Sequence, residues 1–381
     1  MENWIRYFML LLESSAFAYL AVMVIITLGW YKTAEFFAES PSFSSKISVV
    51  VAIRNEAGNI LNLLRSIASQ SLSTSLFELI IVDDNSTDAG TGIIEGFMKS
   101  HGHLNIRVVK SGGQGKKQAL RKGFDLVENE LVFTTDGDCV LHESLLELYL
   151  SFFETHKELK LAFGAVVYSR GKGLLNRVFR LEFSSLVASG AASAGIGLPL
   201  MANGANMAFK LSAYKKIAAG LTGAEYASGD DVFLVHGIAK GFGAAAVGFV
   251  KNKNALVETH APRNAASFLN QRIRWGSKAK AYKSIWPALV ATVVFLFNFM
   301  ISVSAVLSVY RTWFLAVFVL FTLLKFLVDL PLSRNFSKYF RQEKDYYLLF
   351  PLEFIYPFYI VASALYPLLF GFNWKGRDLS K

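Results

Sequence analysis

Asp136 and Asp138, two carboxylates separated by one glycine, are the residues whose type and spacing best suit metal chemistry. They follow residues 131–135, a short β-rich run that predicts a buried strand. Side chains two positions apart on a strand share a face, so both carboxylates can point at one spot. Their hard oxygens suit Mg²⁺ or Mn²⁺, which complete their coordination with water and substrate phosphates. The pair alone also fits a polar turn after a strand.

Short β-rich runs and helical stretches alternate in the sequence around this pair. The predicted strands are residues 47–53, 78–82, 106–109 and 131–135, and the predicted helices are residues 56–69, 88–99 and 116–127. This alternation predicts a parallel sheet with right-handed crossovers. In such sheets, ligands bind beyond the carboxyl ends of the strands.

Charged and polar residues stand at the carboxyl ends of three predicted strands. They are Arg54, Asn55 and Glu56 after the first strand, residues 83–88 after the second, and Asp136 and Asp138 after the fourth. We expect these residues to form one site, in which Asp83 and Asp84 can accept hydrogen bonds from a nucleobase or a ribose hydroxyl. Helix capping is the alternative for the aspartates of residues 83–88.

Residues 111–117, with the sequence Ser-Gly-Gly-Gln-Gly-Lys-Lys, place glycines and lysines at the start of a predicted helix. Backbone N–H groups and the Lys116 ammonium favour an anionic partner such as a pyrophosphate at this position. The segment lacks the P-loop spacing, and no GxGxxG motif follows the first strand. These absences argue against a P-loop ATPase and a dinucleotide-dependent oxidoreductase.

Three later segments could complete a transfer site. Asn203 and Asn206 lie in a small, polar segment suited to sugar hydroxyls. Asp230 and Asp231 begin an apolar helical run, where a carboxylate can deprotonate an acceptor hydroxyl or cap the helix. In residues 271–275 an arginine can bind a departing diphosphate bidentately, and a tryptophan offers a stacking face for a sugar.

The composition indicates a membrane protein, because 53% of the residues are hydrophobic and the mean hydropathy is +0.37. Residues 7–30 form an apolar run of bilayer length, which predicts a retained anchor rather than a cleaved signal peptide. Residues 285–309 and 313–332 predict two further spans. Prolines interrupt the third apolar run of the last third of the chain, at residues 346–370, which is either a span or a re-entrant segment. The single cysteine, Cys139, excludes an internal disulfide and fits a reducing compartment.

The net charge of +10 is concentrated next to the apolar runs. The positive-inside rule assigns the basic loop at residues 334–344 to the cytoplasm. Residues 173–192 and 263–283 predict amphipathic helices on the membrane surface, with basic residues such as Arg180 and Arg272 facing lipid head groups. Core helices with a solvated basic face are the alternative. No nucleic-acid-binding motif is present, so we expect no nucleic-acid partner.

The ordered set of motifs resembles the membrane-bound family 2 glycosyltransferases, in the branch that holds cellulose, hyaluronan and poly-N-acetylglucosamine synthases and ceramide glucosyltransferases. The matching motifs are residues 51–56, 83–88, 115–120, 135–138, 203–206, 229–231 and 271–275. The resemblance implies an α/β, A-type nucleotide-diphospho-sugar transferase fold, with a mostly parallel sheet and helices on both faces. It also implies inverting transfer that depends on Mg²⁺ or Mn²⁺.

The resemblance also implies a role for each motif residue. Contacts to the donor fall to Arg54, Glu56, Asp83, Asp84, Lys116, Asp136 and Asp138, and the last two would also bind the metal. The base would be Asp231, with Asp230 beside it. Contacts to the acceptor or the leaving diphosphate fall to Asn203, Asn206, Gln271, Arg274 and Trp275.

The predicted organisation has four parts. They are an anchor at residues 1–38, a cytoplasmic glycosyltransferase domain at 39–260, an interfacial helix at 261–284 and a region of two to three spans at 285–381. We expect an integral membrane enzyme of the bacterial inner-membrane type that moves a sugar from a nucleotide-diphospho-sugar, such as a UDP-sugar, to a membrane lipid or a glycan. A processive polysaccharide synthase is one alternative. A transporter or nucleotide-sensing membrane protein is another, although the spans carry few charges.

Overall fold

The protein is described by a computed structural model for residues 2–38, 43–220, 230–276, 284–340, 342, 345–369, 373–374 and 377–378. Its contacts divide the chain into two compact units. The helical unit comprises Met1–Tyr31, Gly171–Ala192 and Pro262–Lys381, and the sheet unit comprises Lys32–Arg170 and Ser193–Ala261. The sheet unit is therefore discontinuous in the sequence.

The sheet unit contains one large mixed sheet and one small sheet. Its strands are β1 (Ile47–Ile53), β2 (Phe77–Asp83), β3 (Ile106–Lys110), β4 (Leu131–Asp136), β5 (Val140–Leu141), β6 (Leu161–Phe163), β7 (Ala165–Tyr168), β8 (Met207–Lys210), β9 (Val247–Phe249) and β10 (Leu256–Thr259). The large sheet has the order β3-β2-β1-β4-β8-β6-β9, with β1 to β4 parallel and β8 antiparallel to β4 and β6. β5, β10 and β7 form the small sheet. The four strands predicted before residue 136 are all present, each within one residue of its predicted bounds.

Helices cover both faces of the large sheet. Those of the sheet unit are α2 (Ile60–Ala68), α3 (Gly90–Ser100), α4 (Lys116–Leu126), α5 (Leu145–Thr155), α7 (Leu211–Ala218) and α8 (Asp230–Phe242). α4 packs on β1 and β2 so closely that a Cβ on Gly123 would lie 2.4 Å from Val50 Cγ1. β1 is almost wholly buried, as its run of apolar side chains on both faces requires of a central parallel strand.

The helical unit holds the apolar helices. They are α1 (Glu2–Lys32), most of α6 (Leu174–Gly195), α9 (Ala265–Gly276), α10 (Ile285–Leu307), α11 (Trp313–Tyr339), α12 (Leu349–Glu353) and α13 (Tyr356–Leu369), followed by the short antiparallel strands β11 (Asn373–Trp374) and β12 (Arg377–Asp378). Within the described ranges, α1, α10 and α11 are long and apolar enough to cross a membrane. The third predicted run is broken into α12 and α13, with a bend of 79° between them.

Three ionisable residues of α11 and α12, namely Lys325, Asp329 and Glu353, are paired inside the helical unit. Lys325 is 1% exposed, and its Nζ donates to Asp329 Oδ2 (2.6 Å) on the same helix and to Glu353 Oε2 (2.7 Å) at the end of α12. The Tyr19 hydroxyl of α1 donates to Asp329 Oδ1 at 2.8 Å. Charged groups among apolar helices require such partners.

Candidate active site

The loops that follow β1 and β2 are joined by hydrogen bonds into one surface. Asn55 and Asn85 both have a left-handed backbone, with φ of 54° and 56°, a conformation that asparagine adopts more readily than most residues. The Asn55 N–H donates to Ser86 Oγ (3.0 Å), and the Thr87 N–H donates to Asn55 Oδ1 (2.8 Å). These hydrogen bonds therefore fix the backbone conformation of both loops at the carboxyl ends of β1 and β2.

Asp83 and Asp84, the predicted nucleoside-binding residues, are buried at the end of β2. Asp83 Oδ1 accepts the Ser86 N–H (3.0 Å), and Asp84 Oδ1 accepts the Gly115 N–H (2.8 Å) just before α4. Arg54 Nη1 donates to the Asp84 carbonyl oxygen (2.9 Å). These residues bring together the loops after β1, β2 and β3, so the two aspartates order the edge of the sheet at which they were predicted to bind a ligand.

Lys116 is brought to the carboxylate that ends β4. Its Nζ forms an ion pair with Asp136 Oδ1, and both side chains are about one third exposed (35% and 34%). Gly115 precedes Lys116 with a φ of 98°, which a residue with a Cβ rarely adopts. The glycine-rich segment thus sets the predicted diphosphate-binding lysine beside a predicted metal ligand.

We predict that Lys116→Met weakens binding of UDP or GDP by roughly 10–100-fold, the value of a charge-assisted hydrogen bond of about 1.5–3 kcal/mol. Methionine keeps the length and apolar stem of lysine and removes only the ammonium. The affinity is measured by calorimetry with the full-length protein in detergent and Mn²⁺. Lys117→Met, one residue further along α4, is the matched control, and equal weakening by both variants would contradict a specific role for Lys116.

Glu56 lies against the turn between the two aspartates. A Cβ on Gly137 would lie 3.0 Å from Glu56 Cγ and 3.1 Å from Ile53 Cγ2, so only glycine fits here without displacing its neighbours. Burial, together with the nearby carboxylates of Asp136 and Glu56, raises the pKa of Asp138 above its usual value. Three carboxylates are therefore crowded around one turn.

This crowding fits a divalent cation. A cation bound at Asp136 and Asp138 would relieve the repulsion that raises the pKa of Asp138. In the part of the chain that the structure describes, no group of three or more His, Cys, Asp or Glu residues is arranged to hold an ion. Mg²⁺ or Mn²⁺ would therefore take its remaining ligands from water and a diphosphate, as these ions commonly do at nucleotide sites.

Asp231, the predicted base, is joined to β4 through the backbone of Gly204. The Gly204 N–H donates to Asp231 Oδ2 (3.2 Å), and Thr134 Oγ1 donates to the Gly204 carbonyl oxygen (2.7 Å). Thr134 stands two residues before Asp136 on the same strand. This chain of contacts connects Asp231 with the strand that carries the metal-ligand candidates. Asp230 begins α8, and its side chain lies outside the described part of the structure.

The two predicted asparagines differ in their surroundings. Asn203 is half-buried and accepts the Ala205 N–H (3.0 Å) at the start of a 3₁₀ turn. Asn206 is fully buried: its Nδ2 donates to the carbonyl oxygens of Ala165 (2.8 Å) and Ala255 (3.1 Å), and its Oδ1 accepts the Tyr149 hydroxyl (2.8 Å). Asn206 therefore holds residues 203–206 to the interior of the sheet unit, and both the oxygen and the nitrogen of its amide form hydrogen bonds there.

We predict that Asn206→Leu destabilises the protein, because it leaves two buried carbonyls without their donor. An unpaired buried polar group costs about 1–3 kcal/mol, so the loss should be roughly 2–6 kcal/mol in the free energy of unfolding. Thermal or denaturant unfolding in detergent measures it. Tyr149→Phe removes only one of these hydrogen bonds and serves as the control. A stability of Asn206→Leu at or above that of Tyr149→Phe would contradict the prediction.

Gln271, Arg274 and Trp275 lie together on α9 of the helical unit. Arg272 stands between them, and no role at the site was predicted for it. Its guanidinium is 5% exposed and pairs with Glu182 of α6. In the sequence, its buried position is indicated only by the apolar residues around it in a basic, amphipathic segment.

Two basic residues that were expected to face lipid head groups are buried instead, so that expectation is wrong for Arg180 and Arg272. Arg180 pairs with Asp345 (2.9 Å), and Arg272 pairs with Glu182. The reason is that an acidic partner, distant in the sequence, neutralises each guanidinium within the helical unit.

Comparison with known proteins shows which family the sheet unit is similar to. Residues 48–217 match the family described as Glycosyl transferase family 2. Poly(ribitol-phosphate) beta-N-acetylglucosaminyltransferase TarS of Staphylococcus aureus is 34% identical over 117 residues, which are 29% of this chain and 19% of TarS. Undecaprenyl-phosphate 4-deoxy-4-formamido-L-arabinose transferase of Serratia proteamaculans is 33% identical over 94 residues, which are 24% of this chain and 29% of that protein. The chain thus spans about a fifth to a third of the length of the curated relatives that it matches.

The fold is similar to that of a solved enzyme. Mannosyltransferase PcManGT from Pyrobaculum calidifontis, in complex with GDP-Man and Mn²⁺, has a TM-score of 0.62 at 17% identity, covering 94% of this chain and 99% of that one. At this identity the similarity concerns the fold, and it confirms the predicted A-type α/β fold. The matches are to family 2 at large, and the predicted branch of synthases and ceramide glucosyltransferases stays a prediction.

Proposed function

We propose, because residues 48–217 match the family described as Glycosyl transferase family 2, that the protein is a membrane enzyme that transfers a sugar from a nucleotide-diphospho-sugar to a hydroxyl group of a membrane lipid. The transfer inverts the anomeric configuration of the sugar and depends on Mg²⁺ or Mn²⁺. The observation that carries the proposal is the ion pair of Lys116 with Asp136 beside Asp138 at the end of β4, a strand whose Thr134 is linked through Gly204 to Asp231.

The donor end of the reaction falls to the loops after β1, β2 and β3. Arg54, Asp83 and Asp84 would receive the nucleoside in a backbone that they themselves order. Lys116 and the N–H groups at the start of α4 would hold the diphosphate, since a helix start offers both donors and a favourable dipole. A divalent cation bound at Asp136 and Asp138 supplies charge that stabilises the leaving diphosphate.

The acceptor end falls to Asp231. Its carboxylate takes the proton of the acceptor hydroxyl while the hydroxyl oxygen forms a bond to the anomeric carbon, and the bond from that carbon to the diphosphate oxygen breaks. Because one direct displacement occurs, the sugar configuration inverts. The Gly204 N–H fixes one carboxylate oxygen at 3.2 Å, which orients the base. Gln271, Arg274 and Trp275 would contact the acceptor or the leaving diphosphate.

A lipid acceptor is favoured by the helical unit. Three helices within its described residues are long and apolar enough to span a bilayer, and one relative is named for undecaprenyl phosphate. The basic residues at the end of α11 support a cytoplasmic orientation of the sheet unit through the positive-inside rule. A glycan acceptor, and with it a processive polysaccharide synthase, is the second candidate, favoured by the similarity to TarS.

A donor screen tests the proposal. Full-length protein in detergent with native lipids is incubated with UDP-glucose, UDP-N-acetylglucosamine or GDP-mannose, each labelled in the sugar, with Mn²⁺ or Mg²⁺ and again after chelation. We expect metal-dependent release of nucleoside diphosphate and label in one small lipid with inverted configuration. Label in a growing polymer would favour the synthase instead. No release from any donor would contradict transferase activity.

A further inference from the structure

A buried ion pair lies within the motif on α9. Arg272 and Glu182 are 5% and 8% exposed. Arg272 Nε donates to Glu182 Oε1 (2.8 Å) and Oε2 (2.9 Å), and Arg272 Nη2 also pairs with Oε2. The guanidinium thus meets the carboxylate through two of its nitrogens, the geometry that fixes an arginine most firmly.

The same guanidinium contacts two residues predicted to face the acceptor. Arg272 Nη1 donates to Gln271 Oε1 (2.7 Å), and its guanidinium carbon lies 4.3 Å from the centre of the Trp275 ring. A cation over an indole face at this distance is attracted to it. The orientation of both neighbouring side chains therefore depends on where Arg272 points.

Glu182 is itself held from two other helices. The Tyr359 hydroxyl of α13 donates to Glu182 Oε1 (3.0 Å). Phe179, one turn before Glu182 on α6, stacks on Phe268 of α9 with ring centres 4.3 Å apart, and Arg272 lies 4.5 Å from the Phe268 ring centre on the same helix. Helices α6, α9 and α13 therefore meet at the carboxylate.

We propose that Glu182 is a positioning residue: through Arg272 it sets the orientation of Gln271 and Trp275. A buried ion pair is a poor source of stability, because a packed apolar pair of similar volume stabilises a protein as well or better. The ion pair instead fixes an orientation. The Glu182 carboxylate fixes the rotamer of the Arg272 side chain, and the guanidinium then orients the two side chains that it contacts. This inference rests on the proposed role of Gln271 and Trp275 at the acceptor.

The first test is Glu182→Gln, which keeps the volume and removes the charge. With the donor that supports turnover in the screen above and native lipid as acceptor, we expect kcat to fall about 100-fold, the usual effect of a misplacement of about 1 Å. Because this inference places Gln271 and Trp275 at the acceptor and not at the diphosphate of the donor, KM for the donor should stay unchanged. A fall in kcat accompanied by a matching rise in donor KM would overturn the inference.

Asp345→Asn is the matched control. Asp345 is also buried: it accepts from Arg177 Nε (3.1 Å) and forms an ion pair with Arg180 (2.9 Å), both on the same helix as Glu182. Its replacement weakens an ion pair of α6 and leaves the one at Arg272, so turnover should stay near wild type. An equal loss of turnover in Asp345→Asn and Glu182→Gln would contradict the inference, because it would show that Glu182 only stabilises α6.

A double replacement separates orientation from stability. Glu182→Leu combined with Arg272→Met fills the site with apolar side chains, and thermal unfolding should occur near the wild-type temperature. Turnover should remain as low as in Glu182→Gln, because Gln271 and Trp275 have lost the group that orients them. Wild-type turnover in this folded double variant would overturn the inference.

A mutant cycle separates failure of this inference from failure of the proposed function. If Glu182 acts through Trp275, adding Glu182→Gln to Trp275→Ala causes little further loss of turnover, whereas additive losses would contradict the inference. Full activity of both Trp275→Ala and Gln271→Ala would instead show that α9 does not contribute to the acceptor site, and would contradict that part of the proposed function. If Trp275→Ala and Gln271→Ala lose activity but Glu182→Gln keeps full activity, the positioning role of Glu182 is contradicted and the proposed function is not.

Discussion

In the Asp231→Asn variant we expect transfer to a hydroxyl acceptor to fall by roughly 10²–10⁴-fold, the usual contribution of a positioned general base. The asparagine carbonyl oxygen can still accept the Gly204 N–H that Asp231 accepts at 3.2 Å, while the bond from the Val232 N–H to Asp231 Oδ1 (2.8 Å) is lost. Binding of Mn²⁺ and of UDP or GDP should stay at the wild-type level, because the base acts only after the donor is bound. Product formation and a nucleotide titration on one preparation test both statements.

The control for this variant is Asp125→Asn, at an exposed carboxylate of α4, which should turn over normally. The acceptor chemistry offers a second comparison. A phosphate monoester is already largely ionised near neutral pH, so it needs no base. An Asp231→Asn variant with full turnover onto undecaprenyl phosphate would identify a phosphate acceptor and remove Asp231 from the role of base.

Asp138→Ala should instead abolish the metal-dependent part of nucleotide binding. Loss of a group that merely supports a metal ligand costs 10–100-fold in metal affinity or activity, so loss of the ligand itself should exceed roughly 100-fold. Mn²⁺ binding followed by electron paramagnetic resonance gives a readout that is independent of turnover. In chelator, wild type and variant should bind UDP or GDP equally weakly.

Cys139→Ala, at the next residue, is the control for Asp138→Ala, because it changes a buried side chain of the same turn without removing a carboxylate. The response to pH gives a further check. Burial and neighbouring carboxylates raise the pKa of Asp138, so protons compete with the metal as the pH falls through that raised value. In Mn²⁺, the affinity for UDP or GDP should therefore fall as the pH drops below the pKa of Asp138, and it should be constant at pH values above that pKa. Mn²⁺ binding by Asp138→Ala at the wild-type affinity would show that Asp138 is not a ligand.

The four parallel strands β1 to β4 were predictable because their signals are local. β1 and β4 are short runs of β-branched and apolar residues, and their bounds came within one residue of the prediction. The helices after β1 and β2 begin at residues 60 and 90, rather than at 56 and 88. The difference arises because Asn55 and Asn85 adopt a left-handed backbone and Asn55 bonds to Ser86 and Thr87 of the second loop, an arrangement that neither loop specifies alone.

The buried polar contacts were not predictable in the same way. Glu182 and Arg272 are 90 residues apart in the sequence, and no periodicity within α6 or α9 indicates that they meet. Asn206 was predicted to face a ligand from its small, polar neighbours, yet its amide bonds to carbonyls 41 and 49 residues away. Both cases depend on tertiary packing, which decides whether a polar side chain faces a ligand or the interior.

The pairing of Lys325 has a consequence for the biogenesis of the protein. Asp329 stands four residues after Lys325 on α11, so this helix carries its own counter-ion and can enter a bilayer as a neutral pair before α12 has been synthesised. Glu353 then joins the same ammonium, while Tyr19 of α1 holds Asp329. Tyr19 of α1 and Glu353 of α12 thus both contact the Lys325–Asp329 pair, so we expect α11 to associate first with α1, which precedes it in the chain, and then with α12, which follows it.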